Sequence, residues 1–330
     1  MRWHPRGSFE RLTAPLALWQ AFVRTQRDKR RQPVMARFAL ECDREVLALH
    51  RALRSGSYRH GPYRIHVLRD PKVRLIAAAS VRDRVVHQAL VREIAPTFER
   101  GFLPEHFAWG EGRGPQRAAL RFLALQRRHR FVLMLDIRRY FPSIVHEVLL
   151  GLIERRVRDD DTRALLRHVV AVGAAVYRAP LAVAALGLAD QPVPPGCGMP
   201  IGSYVSQWSG ALYLDGLDHF VKRELRVSGY LRYMDDCALF SDDPAALERC
   251  RDAIAAWLRV ERGLCLNPRR LAVRPCSEAV LFVGMRIDRA GLSPGPKIRR
   301  RLRRRVRAAA RKGPAALERT LRSYRGLFLL

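Results

Sequence analysis

The sequence predicts an α+β chain in which a small antiparallel sheet is covered by helices. Three observations lead there. Apolar residues recur at helical spacing through the first part of the chain. Short apolar or alternating runs, bounded by turn residues, follow. Their order is helices, hairpin, helices, then strand–helix–hairpin–helix–strand, with no internal repeat and no low-complexity linker.

Each element has its own signal. Within the first 60 residues Phe38, Leu40, Val46, Leu47, Leu49 and Leu53 keep roughly helical spacing until Ser55-Gly56-Ser57 stops them. Tyr63 to Leu68 alternates as a strand, Asp70-Pro71-Lys72 is a turn, and Arg74 to Ala78 is the returning strand. Val81 to Ile94 is a helix expected to end before Pro96, because proline disfavours helical conformation in the residue before it. Residues 116 to 128 form an arginine-rich helix, and the apolar run Phe131 to Ile137 reads as a buried strand. His146 to Tyr177 is mostly helix, followed by a loose segment up to Gly198. Ser206 to Leu225 is a helix, Tyr230 to Phe240 a hairpin, Ala245 to Arg262 a helix, and Val280 to Ile287 a strand pair or strand end. From Lys297 the chain is a helical tail with 10 basic residues in 16, no acid, and basic residues all round.

Charge bounds the function. The 330 residues can bury a sizeable core, and 48% hydrophobic residues favour folding over disorder. Lysine and arginine number 61 against 31 acids, a net charge of +30 that implies a polyanionic partner. Arginine dominates, the lysines being Lys29, Lys72, Lys222, Lys297 and Lys312. Met1 to Leu12 has no apolar segment of the kind a secretory signal carries, and the longest uncharged stretch is interrupted by prolines and glycines. We therefore expect no membrane partner. The six cysteines show neither a CxxC pair nor zinc spacing, as expected of reduced thiols in a cytoplasmic protein.

Acids stand at two places where apolar residues belong. Asp136 ends the run Leu133-Met134-Leu135, and Asp235-Asp236 sits at the tip of the hairpin after Tyr233-Met234. If the two strands are neighbours, three carboxylates converge, and like-charge repulsion calls for a cation. Carboxylate oxygens suit Mg²⁺ or Mn²⁺. Two such ions about 3.5–4 Å apart can activate an attacking hydroxyl and stabilise a leaving pyrophosphate.

Tyr233-Met234-Asp235-Asp236 resembles the catalytic box of reverse transcriptases, and Leu135 to Ile144 resembles the first catalytic motif of that family, about 100 residues upstream. Asp70 to Ile76 resembles the fingers motif, Arg82 to Leu90 the helix after it, and Phe282-Val283-Gly284 the primer grip. The resemblance runs collinearly from about residue 20 to 290. It implies a right-hand polymerase fold: fingers over 1–130, with 143–197 as fingers or connecting helices, a palm from 131–142 and 198–290, and a short basic thumb over 291–330. It also implies RNA-directed DNA synthesis on an RNA/DNA duplex from deoxynucleoside triphosphates.

The resemblance implies roles for named residues. Asp136, Asp235 and Asp236 are the catalytic acids and, with the backbone carbonyl of Ile137, the ligands of two Mg²⁺ ions (Mn²⁺ being an alternative). Lys72 and Arg74 clamp the triphosphate. Phe141 occupies the space a ribose 2′-hydroxyl would need, and Gln207 lies near the sugar and the templating pair. Arg299, Arg300, Arg303, Arg304 and Arg307 track nucleic acid.

The stretch Met199 to Gln207 separates subgroups. Ile201-Gly202-x-x-x-Ser206-Gln207 stands where most reverse transcriptases carry Pro-Gln-Gly, and it is similar to diversity-generating retroelements, as are Ala211 to Leu214 and Leu217 to Lys222. That subgroup often has threonine where this chain has Val205. It copies a template RNA with errors at adenines, in bacteria or their phages, and implies a small accessory protein. Ser-Gln variants also occur in defence-associated reverse transcriptases, which stay an alternative, as does a non-catalytic RNA-binding scaffold. About 40 residues after Ile287 leave no expected room for a maturase domain, and the Asn-Ala-x-x-His and Val-Thr-Gly marks of retron enzymes are absent.

Overall fold

The computed structural model describes residues 7–69, 73–269 and 271–325. Along the chain come α1 (Ser8–Thr13), α2 (Pro15–Thr25), α3 (Pro33–Leu40), α4 (Cys42–Arg54), β1 (Arg64–Leu68), β2 (Arg74–Ala78), α5 (Val81–Glu99), α6 (Pro115–Arg128) and β3 (Phe131–Leu135). Then follow α7 (Tyr140–Ser143), α8 (His146–Glu154), α9 (Asp160–Ala174), α10 (Pro180–Leu186), α11 (Tyr204–Tyr213), α12 (Asp215–His219), β4 (Gly229–Tyr233) and β5 (Asp236–Ser241). The chain closes with α13 (Pro244–Arg262), β6 (Val273–Pro275), β7 (Val280–Phe282), β8 (Met285–Asp288), β9 (Gly291–Pro294), α14 (Pro296–Ala310) and α15 (Pro314–Arg325). This is the α+β class the sequence predicts. Proline opens α2, α3, α6, α10 and α14, where its missing N–H is no loss.

Two compact units result. The first is drawn from Met1–Phe102, Arg139–Tyr213 and Val260–Leu264. Its centre is α5, against which α1, α2, α3 and α11 pack, and which buries Val85, Val86, Leu90, Val91, Ile94 and Phe98. Ser80 starts the helix by accepting the Asp83 amide, an N-cap. The helix does not end before Pro96 as expected. It runs on to Glu99, because Ile94, Ala95 and Phe98 are all buried and that packing outweighs one missing hydrogen bond. The loose segment before Gly198 likewise contains α10, whose Ala182 packs with Leu75, Tyr177 and Leu188. The helix expected over Ser206 to Leu225 starts two residues earlier and breaks at Leu214, which leaves helical geometry at ψ 5°.

The second unit, Leu103–Arg138, Leu214–Arg259 and Cys265–Leu330, carries a four-stranded antiparallel sheet of order β4-β5-β3-β6. On one face Val132, Leu231, Ala238 and Phe240 form a core with Phe122 and Leu125 of α6, joined by residues of β7 and β8. The expected strand pair at Val280 to Ile287 is a three-stranded sheet β7-β8-β9. Neither β9 nor β6 has an apolar pattern to announce it. The basic tail is a helical pair, and its first helix is not basic all round. Ile298, Leu302, Val306 and Ala309 recur every three or four residues as a half-buried to buried stripe, while the arginines between them are exposed. All six cysteines are free thiols, and among the described residues no single helix is long and apolar enough to cross a membrane.

Three histidines, His60, His87 and His106, are buried, and two of them are shifted strongly. Burial, then the neighbouring His60, lowers His87 to about 3, and burial lowers His106 to about 2. Asp83 works the other way on His87, and Arg84 with the burial. In the unfolded chain both histidines take a proton below about pH 6.5, while the folded chain does not. The unfolded state thus binds more protons between about pH 3 and 6.5, so stability falls as pH drops through that window. Urea unfolding of wild type and His87→Gln should show this. Between pH 6.5 and 4.5 the wild type should lose about 2–3 kcal/mol more than the variant, at roughly 1.4 kcal/mol per pH unit for one histidine.

Candidate active site

The acids end adjacent strands. Leu135 of β3 pairs with Cys237 of β5, so the next residues outward, Asp136 and Asp236, stand side by side at one end of the sheet. Tyr233 pairs with Asp236 to close the β4–β5 hairpin, leaving Met234-Asp235 as its two-residue turn. Met234 takes a left-handed φ of 56°, a conformation costing a non-glycine residue about 1–3 kcal/mol. All three carboxylates are half-buried.

Beyond β3 the strand pairs with the segment before β6. The Arg138 amide donates to the Cys265 carbonyl at 2.9 Å and the Asn267 amide to the Asp136 carbonyl at 2.7 Å, with Ile137 opposite Leu266 between them. That alternation directs the Ile137 carbonyl to the other edge, the side of β5. The Asn267 side chain also donates to Asp136 Oδ2 at 2.6 Å. The expected convergence of three carboxylates is thus one of position, at one sheet end. Among the described residues no group of three His, Cys, Asp or Glu side chains stands at metal-holding distance, and Asp136 is turned to Asn267. The donor set is nonetheless of hard oxygens, carboxylates and a carbonyl, the kind divalent cations take.

Behind the turn lies a buried ion pair. Arg232 of β4 and Asp218 of α12 are both 0% exposed. Arg232 donates Nε–H to Oδ1 and Nη2–H to Oδ2 of Asp218, each at 2.7 Å, and Nη1–H to the Met234 carbonyl at 2.9 Å. Tyr230 donates its hydroxyl to Asp218 Oδ1 at 2.7 Å. Burial works to lower the Arg232 pKa, but the Asp218 charge and hydrogen bonds outweigh it and hold the guanidinium above its ordinary value. Burial pushes the neighbouring Cys237 thiol up to about 12, so it stays protonated.

Other sequence-predicted residues lie in the first unit. Phe141 is half-buried, and a Cβ on Gly210 of α11 would come within 3.3 Å of its ring. Gln207, one turn before Gly210, is the exposed residue of a helix otherwise buried or half-buried, with Ser206 beside it buried. Ile201 accepts the Ala77 amide of β2 at 2.7 Å. Gly202 follows at φ 109°, where a Cβ would meet the Ala77 carbonyl at 3.0 Å, so only glycine fits this loop without a shift. Arg74 is exposed at the start of β2. Lys72 lies outside the described residues.

Phe282, at the end of β7, stacks on Phe122 at 5.0 Å. Val283 and Gly284 form a two-residue turn with φ of 46° and 84°. The Gly284 carbonyl accepts the Gly295 amide at 3.0 Å, which ties this turn to the start of α14. On α14, Arg299, Arg300, Arg303, Arg304 and Arg307 line a hollow of about 750 Å³ together with Arg311.

Sequence reading missed Asn267, Asp218 and Arg232. A lone Asn before Pro268 reads as a turn residue. The signal for Arg232 was a charge inside a strand otherwise buried on both faces.

A profile of the reverse transcriptase (RNA-dependent DNA polymerase) family matches residues 69–287. Among curated proteins, Protein YkfC of Escherichia coli (strain K12) is 23% identical over 289 residues, covering 74% of this chain and 71% of that one. Among solved structures, apo telomerase from Candida tropicalis truncated from its C-terminal domain aligns with a TM-score of 0.50 at 11% identity, over 71% of this chain and 56% of that one. Telomerase from Candida albicans with a fragment of telomeric RNA aligns at 0.47 and 10% identity, over 73% of this chain and 48% of that one. The chain thus spans about half the length of these structures. The first alignment shows a shared polymerase fold.

Replacing Asn267 by Ala removes a hydrogen bond to a charged acceptor, so the folded protein should lose about 1.5–3 kcal/mol, read as a lower urea midpoint at unchanged m-value. Asn267→Asp, which sets a second carboxylate against Asp136, should cost more at pH 7 and less at pH 4, where carboxylates take protons.

Proposed function

The chain belongs to the reverse transcriptase (RNA-dependent DNA polymerase) family, and we propose that it copies a template RNA into cDNA by nucleotidyl transfer. One observation carries this reading: Asp136 and Asp236 sit one residue beyond the last register pair of adjacent strands, with Asp235 in the turn between β4 and β5. In this reading Asp136, Asp235 and the Ile137 carbonyl would hold two Mg²⁺ ions, with Asp236 close by and Mn²⁺ as a substitute. When bound, these ions supply Lewis acidity to a primer 3′-hydroxyl and to the departing pyrophosphate.

The chain's own residues do the rest. Arg74 and Lys72 orient the triphosphate by charge-assisted hydrogen bonds. The Phe141 ring excludes a ribose 2′-hydroxyl, and Gln207 contacts the nascent pair. Phe282, Val283 and Gly284 seat the primer end. The arginine face of α14 follows the backbone of an RNA/DNA duplex, a sequence-independent electrostatic contact. We assign the fingers chiefly to the first unit, and the palm and basic thumb to the second. We place the protein in the cytoplasm.

We further propose membership of the diversity-generating subgroup, with a small accessory protein of the retroelement as partner. Its support is the Ile201 to Gln207 stretch, whose Gly202 lies against β2. Base selection rests on how differently right and wrong pairs are stabilised in the transition state. A loop that constrains the pair less narrows that difference at some template bases. A defence-associated enzyme is the alternative, and its cDNA would show no adenine bias.

Two measurements test these readings. Asp235→Asn should lower primer extension on RNA with Mg²⁺ by at least about 10²–10³-fold, the scale of losing one preorganised charge, with RNA affinity within twofold of wild type. Near-normal extension would remove Asp235 from catalysis. Sequencing cDNA from a mixed-base RNA should show errors at least about tenfold more often opposite adenine than opposite the other bases, a barrier difference of ~1.4 kcal/mol. Uniformly low error rejects the subgroup and leaves the polymerase reading standing.

A further inference from the structure

We propose that Arg232 is a positioning residue that holds the Met234-Asp235 turn in its working shape, with Asp218 and Tyr230 fixing Arg232 from behind. The proposal rests on the reading that Asp235 is a catalytic carboxylate.

A fully buried ion pair is a poor stability device. Taking both charges out of water costs about as much as their attraction returns, and well-packed apolar residues often do as well. Arg232 therefore asks for another account, and its third arm gives one. Two nitrogens along one edge of the guanidinium, Nε and Nη2, engage both Asp218 oxygens at 2.7 Å, which fixes the plane of the group. The remaining nitrogen then donates to the Met234 carbonyl at 2.9 Å. That carbonyl belongs to the peptide that leads into Asp235, and it follows a residue held at φ 56°. A left-handed methionine relaxes unless its surroundings over-determine it.

The backbone of Arg232 is fixed as well. Its amide donates to the Glu105 carbonyl at 2.9 Å, and its carbonyl accepts the Phe107 amide at 2.8 Å, so the segment before α6 covers the outer edge of β4. Tyr230 adds a third bond to Asp218. The clamp is thus anchored at α12, at residues 105–107 and at β4, while its free end holds the turn. Lysine could neutralise Asp218, but a compact ammonium lacks the fork that spans two carboxylate oxygens and a carbonyl.

The test compares full-length wild type with Arg232→Lys and with the double variant Arg232→Met, Asp218→Leu. Three things are measured: amide exchange of the metal-free protein, Mn²⁺ binding by electron paramagnetic resonance, and primer extension on RNA. In both variants the Asp235 and Asp236 amides should exchange at least about tenfold faster, while Val132 to Leu135 keep their protection. Mn²⁺ should bind at least about tenfold more weakly and kcat should fall at least about tenfold, with the KM for the RNA primer–template unchanged. Should Arg232→Lys fail to fold, the double variant carries the test, because it leaves no buried charge without a partner. A folded variant with wild-type exchange at the turn and wild-type Mn²⁺ affinity overturns the proposal. Asp235→Asn is measured alongside. Full extension in that variant sinks the catalytic reading of Asp235, whereas the exchange data judge the clamp by themselves.

Discussion

Three carboxylates at one end of a sheet repel one another, and much of the second unit answers that constraint. Asp136 and Asp236 end neighbouring strands and Asp235 occupies the turn between β4 and β5. Left alone, such a group would spread apart. The protein keeps it together by rigid support. Asn267 donates to Asp136 from one side, and the β3–β5 register fixes the spacing of the strands. Arg232 reaches the turn from behind, donating to the Met234 carbonyl while its other nitrogens engage Asp218. The acids remain half-buried.

Strain follows the same geography. Five described non-glycine residues take positive φ, and three of them flank the sequence-predicted sites: Arg139 after Asp136, Met234 before Asp235, and Val283 in the β7–β8 turn. A β-branched residue such as Val283 is especially ill-suited to that region. Tight packing tolerates it: Phe282 stacks on Phe122, and Gly295 is bonded to Gly284 across the turn. The β7–β8 turn and the first turn of the arginine helix are therefore one mechanical piece, because Gly295 immediately precedes α14.

What was legible in the sequence was what local pattern encodes. The run Phe131 to Leu135 is apolar because both faces of β3 are covered, and the hairpin Tyr230 to Phe240 is two largely apolar strands joined by a turn with acids. The acids stood out because they interrupt apolar strands. The misreadings share a cause, which is that tertiary packing overrode a local rule. Pro96 should have ended α5, but the helix continues on its buried residues. β6 spans Val273–Pro275 and exists because Phe131 to Leu133 offers it an edge. Arg232 and Asp218 are 14 residues apart with no pattern joining them, and only the fold makes them partners. Asn267 is 131 residues from Asp136, a distance across which a single sequence carries no signal.

Arginine serves two opposed purposes in one chain. With five lysines among 61 cations, a chain-wide preference for arginine covers the choice at most surface positions. It does not account for Arg232, where a lysine would pair with Asp218 but leave the turn unheld. There the guanidinium is dehydrated, fixed in plane and directed inward to a backbone oxygen. On α14 the same side chain is exposed along a helix whose apolar stripe turns the other way. The inward arginine acts through geometry and should respond little to salt. The outward ones act through charge and should respond strongly, since counterion release scales with the number of phosphates met. Ionic strength therefore separates the two contributions, because it weakens the hold on nucleic acid while leaving the turn that carries Asp235 as it is.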